Sequence, residues 1–159
     1  MGGEFGQRKE WDHEDELDWA LCAVPPHQQL QRWVKELNYF YKTEPALFQN
    51  DFSPDGFEWV NCFDWERGVI SFLRKGDAQA EPVLVVCNFT PVLRNNYKVG
   101  IPMGGFWREV LNSDAKEYGG SGHGNLGGQE AAPVPLQGKY FSLSLIIPPL
   151  AALFLKRSV

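Results

Sequence analysis

PVLVVCNF, residues 82–89, decides the fold. Its β-branched and aromatic residues suit a pleated, half-buried surface, and it follows a turn-like stretch, GDAQAEP (76–82). VISFLR (69–74) upstream and YFSLSLII (140–147) downstream have the same character, and ERG (66–68) forms a second turn. Working outward from these runs, short strands are expected near 57–61, 69–74, 82–89, 97–101, 106–111, 139–147 and 151–156. Six or seven short strands without intervening helices argue for an antiparallel β-sandwich. Neither an internal repeat nor a heptad is present.

Residues 1–50 have a different pattern. In HQQLQRWVKELNYFYKTEP, apolar side chains at Leu30, Trp33, Val34, Leu37, Phe40 and Tyr41 fall on one stripe of a helix expected over 27–42. Pro25 and Pro26 precede it, and Pro45 stops it by disfavouring helical geometry at Glu44. The stripe is broad and aromatic and needs a sizeable burial partner. Two parts follow: 1–50 and an all-β part, 51–159.

Composition bounds the function. A chain of 159 residues can bury about 68–70% of its unfolded surface in a single domain. Its net charge of −5 argues against nucleic-acid binding, which needs concentrated positive charge. No apolar run is long enough for a membrane span, because Pro148 and Pro149 break the nearest candidate, Leu143 to Leu155. Cys22, Cys62 and Cys87 have no metal-like spacing, and with no signal peptide they read as reduced, mostly buried thiols of a cytoplasmic protein. No metal or cofactor is expected. The glycosylation sequon at Asn88-Phe89-Thr90 reads as a chance match.

Candidate chemistry is sparse. YGGSGHGNLGG (118–128) has the glycines of a phosphate loop but neither the following helix nor a GK[ST], so it reads as a mobile loop. The acids Asp12, Glu14, Asp15, Glu16 and Asp18 read as a solvated loop rather than paired catalytic carboxylates. Trp11 and Trp19 flank that loop. An aromatic face can lie against the C–H face of a sugar while neighbouring acids bind hydroxyls. The same tryptophans could equally anchor the loop to the body of the protein, and both readings stand.

The motif series is more specific than any one motif. MGGEFGQ (1–7), EW (10–11), LDW (17–19) and LNYFYKTEPAL (37–47) are followed by DFSPDGFEWV (51–60), LVVCNFTPV (84–92), LNSDAKEYGGSG (111–122) and SLSLIIPPLAALFL (142–155). In order and spacing the series resembles the C-terminal part of the bacterial glycogen branching enzymes, 1,4-alpha-glucan branching enzymes of the alpha-amylase superfamily. The resemblance implies that Met1–Phe5 is the eighth strand of a (β/α)8 barrel, that the helix at 27–42 follows it, and that the sandwich is the family's C-terminal all-β domain. It implies an α-glucan ligand contacted by Trp11, Asp18 and Trp19, with the rest of the barrel as partner. The family is a retaining glucanotransferase that creates α-1,6 branches. The resemblance implies that the family's catalytic carboxylates lie on barrel strands that this sequence does not include, so no residue here is named catalytic and the chain alone is expected to be inactive. Without those strands the helix stripe is expected to be loosely held or self-associating. A rival reading is a separate, non-catalytic glucan-binding module with Trp59, Trp65 or Trp107 exposed on the sandwich.

Overall fold

A computed structural model describes residues 1–158. The run at 82–89 forms β3 (Val83–Asn88), whose Val85 pairs with Phe72 of β2 (Val69–Arg74) on one side and Phe154 of β8 (Ala152–Arg157) on the other. The remaining strands are β1 (Phe57–Asp64), β4 (Arg94–Ile101), β5 (Phe106–Asn112), β6 (Gly128–Glu130) and β7 (Phe141–Ile147). Six of the eight make one sheet, in the order β1-β2-β3-β8-β5-β6, and β4-β7 make a second. Every pairing is antiparallel. The expected sandwich is present, with β6 as an additional short strand.

Alternation along β3 sends its side chains to opposite faces. Leu84 and Val86 join Leu73, Trp107, Leu153 and Leu155 of the large sheet against Val99, Ile101, Leu143, Leu145 and Ile147 of the small one. Val83 and Val85 point the other way and are also buried, against Ala46 and Leu47, with Phe40 at the margin. The central strand is therefore dry on both faces, and each large apolar side chain it buries contributes about 1.5–3 kcal/mol.

That outer layer is helical: α1 (Pro25–Thr43) and α2 (Pro45–Phe48). Pro25 and Pro26 occupy the first turn of α1, where a missing N–H costs nothing. Glu44, preceding Pro45, is extended (φ −99°, ψ 106°) and separates the two helices as expected. The α1 stripe has a partner that the sequence reading did not supply. Phe40 meets Phe154 edge-on (5.9 Å) and Trp33 meets Tyr118 edge-on (5.1 Å). Polar contacts reinforce the docking. Lys156 Nζ donates to both Glu44 carboxylate oxygens (2.9 and 2.8 Å), Tyr118 OH donates to Glu36, and Arg32 pairs with Glu117 (3.0 Å). Arg74 of β2 donates to the Leu47 carbonyl (2.9 Å) and to Asp51 (2.6 Å), tying α2 to the sheet.

Two expectations are corrected. Gly3–Phe5 is a single 3-10 turn, not a strand: its bonds are local, Gly6 N–H to Gly3 O (3.3 Å) and Gln7 N–H to Gly2 O (2.9 Å). A strand needs a neighbour for its backbone groups, and none among the described residues pairs with this segment. Gly2 permits the turn, with φ 79° and the Gln7 Cβ 2.8 Å from where a side chain would begin. The stretch 118–128 is not a loose loop either. Both Asp114 carboxylate oxygens are used: Oδ1 accepts from Ser121 N–H (2.9 Å), and Oδ2 accepts from Ser121 Oγ–H (2.6 Å) and His123 N–H (3.0 Å). Asn125, buried, donates to Glu109 (2.7 Å) and the Ile146 carbonyl (3.0 Å). At Gly120 a Cβ would sit 2.1 Å from the Asp114 carbonyl oxygen, so the glycine here serves close backbone packing.

Candidate functional site

The loop from Gly6 to Pro26 rises from the N-terminal end of α1. Its foot is fixed by His27, which is buried and whose Nδ1–H donates to the Phe5 carbonyl at 2.7 Å. A carbonyl only accepts, so Nδ1 carries the proton. Higher up, Gln7 Oε1 accepts from the Asp18 N–H (2.9 Å), holding the two ends of the acidic stretch together. Within it, Asp12 Oδ1 accepts from Glu14 N–H (2.9 Å) in a side-chain-closed turn, and Lys9 bridges to Asp15 (3.3 Å). The Lys9 hydrogen bond holds the Asp15 carboxyl below its ordinary value. This is the solvated acidic loop expected from composition.

The three residues expected to touch sugar stand as follows. Trp19 is 60% exposed and leans on the ring of Phe5 (5.6 Å, 33°), opening a five-residue 3-10 helix, Trp19–Ala23, that Asp18 precedes. The Asp18 carboxylate makes no hydrogen bond among the described residues, so its oxygens are available. Trp11 is also 60% exposed, with its indole N–H on Met1 Sδ (3.1 Å) and its ring near His13 (6.0 Å). The structure therefore brings Asp18 and Trp19 together and places Trp11 in a separate contact. Each ring is anchored along one side and open along the other.

On the sandwich, Trp107 does not fit the rival reading: it is 0% exposed, with its indole N–H on the Met103 carbonyl (3.1 Å). It is a core residue because it faces inward from β5, between the two sheets. Trp59 is half exposed against Phe57 (4.8 Å) and Phe72 (5.8 Å), and Trp65 projects from the β1–β2 turn. Asn88, at 2% exposure, spends its amide on the Val92 and Pro148 carbonyls (2.8 and 2.9 Å), so the sequon there is closed to any modifying enzyme. The cysteines are free thiols, each half-buried, and burial pushes Cys87 up.

The sequence reading passed over a second polar feature, a cleft of about 570 Å³ between β1 and β4. Asp64 forms part of its floor and accepts from Tyr97 OH (2.6 Å) and Arg67 (3.4 Å). Burial works to raise the Asp64 carboxyl, but these two hydrogen bonds prevail and hold it low, while burial and Asp64 push the Tyr97 phenol well up. Bulges in both strands, around Asn61 in β1 and between Arg94 and Tyr97 in β4, turn side chains out of the ladders. The signal available in the sequence was RNNYK (94–98), which interrupts the apolar alternation with polar and cationic side chains.

Residues 59–158 match the family described as alpha amylase, C-terminal all-beta domain, and the chain belongs to that family. Over nearly its whole length it is similar to 1,4-alpha-glucan branching enzymes. That of Aquifex aeolicus is 62% identical over 156 residues, covering 98% of this chain and 25% of that enzyme. Those of Aromatoleum aromaticum (57%, 98% of this chain and 24% of the enzyme) and a Synechocystis strain (48%, 99% and 20%) align similarly. The chain thus spans a fifth to a quarter of the length of these relatives.

Proposed function

We propose that this chain is the C-terminal part of a 1,4-alpha-glucan branching enzyme that works on glycogen in the cytoplasm. The observation that carries the reading is the extent of the likeness: at 62% identity it takes in 98% of the chain, including the turn, acidic loop and helices that lie outside the family match at 59–158. A retaining transfer needs a nucleophile and an acid/base carboxyl about 5 Å apart. No residue of this chain is assigned either role; both belong to barrel strands of the parent enzyme. The share of the work assigned here is to close the barrel with the N-terminal turn and α1, and to lend the glucan groove Trp11, Asp18 and Trp19. Their exposed ring faces would lie against the C–H faces of glucose units while the free Asp18 carboxylate accepts from hydroxyls.

The test is a chimera in which this chain replaces the corresponding segment of the Aquifex enzyme. Branching of amylose, read as new α-1,6 linkages, is expected from the chimera and not from the chain alone. A folded but inactive chimera, or branching by the chain alone, would overturn the assignment. The exposed Phe57–Trp59 pair favours a second reading, glucan binding by the sandwich itself. Retardation of the chain in a glycogen gel, abolished by Trp59→Ala, would support it.

A further inference from the structure

The cleft between β1 and β4 is rich in hydrogen-bond donors and poor in free acceptors. Arg67, Arg94 and Lys98 line it against a single carboxylate, Asp64, in a chain whose net charge is −5. That carboxylate is already occupied by Tyr97 and Arg67. Arg94 uses one terminal nitrogen on the Arg67 carbonyl (3.0 Å) and Thr90 Oγ1 (3.4 Å), which leaves its Nε buried with no acceptor. Lys98, exposed, makes no ion pair among the described residues.

The amides add to the surplus. Asn61 Oδ1 accepts from Phe63 N–H (3.0 Å), and Gln137 Oε1 accepts from Gly100 N–H (2.8 Å). In both residues the oxygen already accepts one hydrogen bond, and the NH2 remains to donate. Asn95 and Asn96 stand in the bulged part of β4, exposed, where amides can donate to and accept from hydroxyls. In the larger cleft between α1 and β8 the charges balance, with Glu36, Glu44 and Glu81 lining it alongside Arg108, Lys156 and Arg157, although Glu81 Oε2 and Arg157 Nε are buried there without partners as well.

The geometry points to a binding site for a phosphorylated sugar in this cleft, with the phosphate on Arg94, Arg67 and Lys98 and the sugar hydroxyls on the surrounding amides. Guanidinium groups suit phosphate because their N–H bonds are fixed in a fork that matches its oxygens. The site shares no residue with the loop carrying Trp11 and Trp19, so it stands or falls apart from the glucan reading.

Titration of the full chain with glucose 6-phosphate, inorganic phosphate and maltose, followed by amide NMR shifts, tests the proposal. Saturable shifts confined to residues 61–67, 94–98 and 136–137 are expected with glucose 6-phosphate at about millimolar affinity. Inorganic phosphate should bind the same residues more weakly, and maltose should leave them unmoved. Arg94→Gln should weaken binding by about tenfold. Because Arg94 also holds the Arg67 carbonyl, Lys98→Gln provides the independent variant: its exposed side chain can go without loss of fold, and affinity should drop by about threefold. Equal affinity for the two phosphates would overturn the sugar contacts. An absence of saturable shifts, or a response to maltose matching that to glucose 6-phosphate, would overturn the site.

Discussion

The ion pair between Glu44 and Lys156 ties the helical layer to the central sheet, and breaking it gives the sharpest test of how that layer is held. Glu44 is 7% exposed, and both its oxygens accept from one ammonium at 2.8–2.9 Å. Removing one partner of a buried pair leaves the other uncompensated, at a cost of about 3–5 kcal/mol. Lys156 keeps about a quarter of its side chain in solvent (27%), so it can partly rehydrate when Glu44 is lost. Glu44→Ala is therefore expected at the lower end, about 3 kcal/mol. Lys156→Ala, which strands the more buried carboxylate, should cost at least as much. For a domain of this size each kcal/mol moves Tm by about 2–4 °C, so Glu44→Ala should lower it by about 6–12 °C. Urea denaturation of both single variants and the double variant closes the cycle, with an expected coupling of about 1.5–3 kcal/mol. Additivity to within about 0.5 kcal/mol would refute the reasoning, since the two side chains would then contribute separately.

Phe154→Ala, which removes the ring under Phe40 and Trp33, should cost about 3 kcal/mol and selectively lower hydrogen-exchange protection in α1; a loss spread evenly over the sandwich would contradict the layering. The hydrogen bond from Lys139, helped by Lys75, holds the Glu58 carboxyl below its ordinary value against the opposing effect of burial. A depressed carboxyl contributes stability that is complete above the unfolded value of about 4.3 and lost as pH falls through the folded one. Tm should therefore be flat from about pH 7 to 5 and decline below about pH 4.5, with a shallower decline in Glu58→Gln. In the chimera, Trp19→Ala should raise KM for amylose several-fold with little change in kcat, and Trp11→Ala less so because its contact lies apart; a fall in Tm without a change in KM would mean the rings only anchor the loop.

The sandwich was legible because its strands are marked by apolar runs between turns, and the ends of β3 and α1 fall within two residues of where the pattern placed them. The helix was legible too, but not what it packs on. Periodicity reports that Phe40 and Trp33 share a face, whereas their partners Phe154 and Tyr118 lie far along the chain and meet them only once the sheet has formed. The opening segment was read as a strand from its resemblance to the eighth strand of a (β/α)8 barrel, and with no ladder partner among the described residues the local turn prevails. The loop at 118–128 was read from its glycines alone, while the order comes from Asp114 and Asn125, whose roles depend on a side chain reaching across several residues. Trp11 and Trp19 stood out because they flank the acidic loop, and Asp18 joined them only through the family resemblance. The cleft at Arg94 was missed because its members come from separate strands and only bulges bring them together.

The double burial of β3 bears on where the polypeptide can be divided. A boundary at residues 50/51 looks natural in the sequence, since helix ends and strands begin there. A piece starting at 51 would carry Val83 and Val85 on a bare outer surface beside Phe72, Cys87 and Phe154, with Ala46 and Leu47 gone. Such a contiguous apolar patch in the middle of a sheet invites self-association. Anyone transplanting this β-domain as a soluble module should carry α1 and α2 along with it.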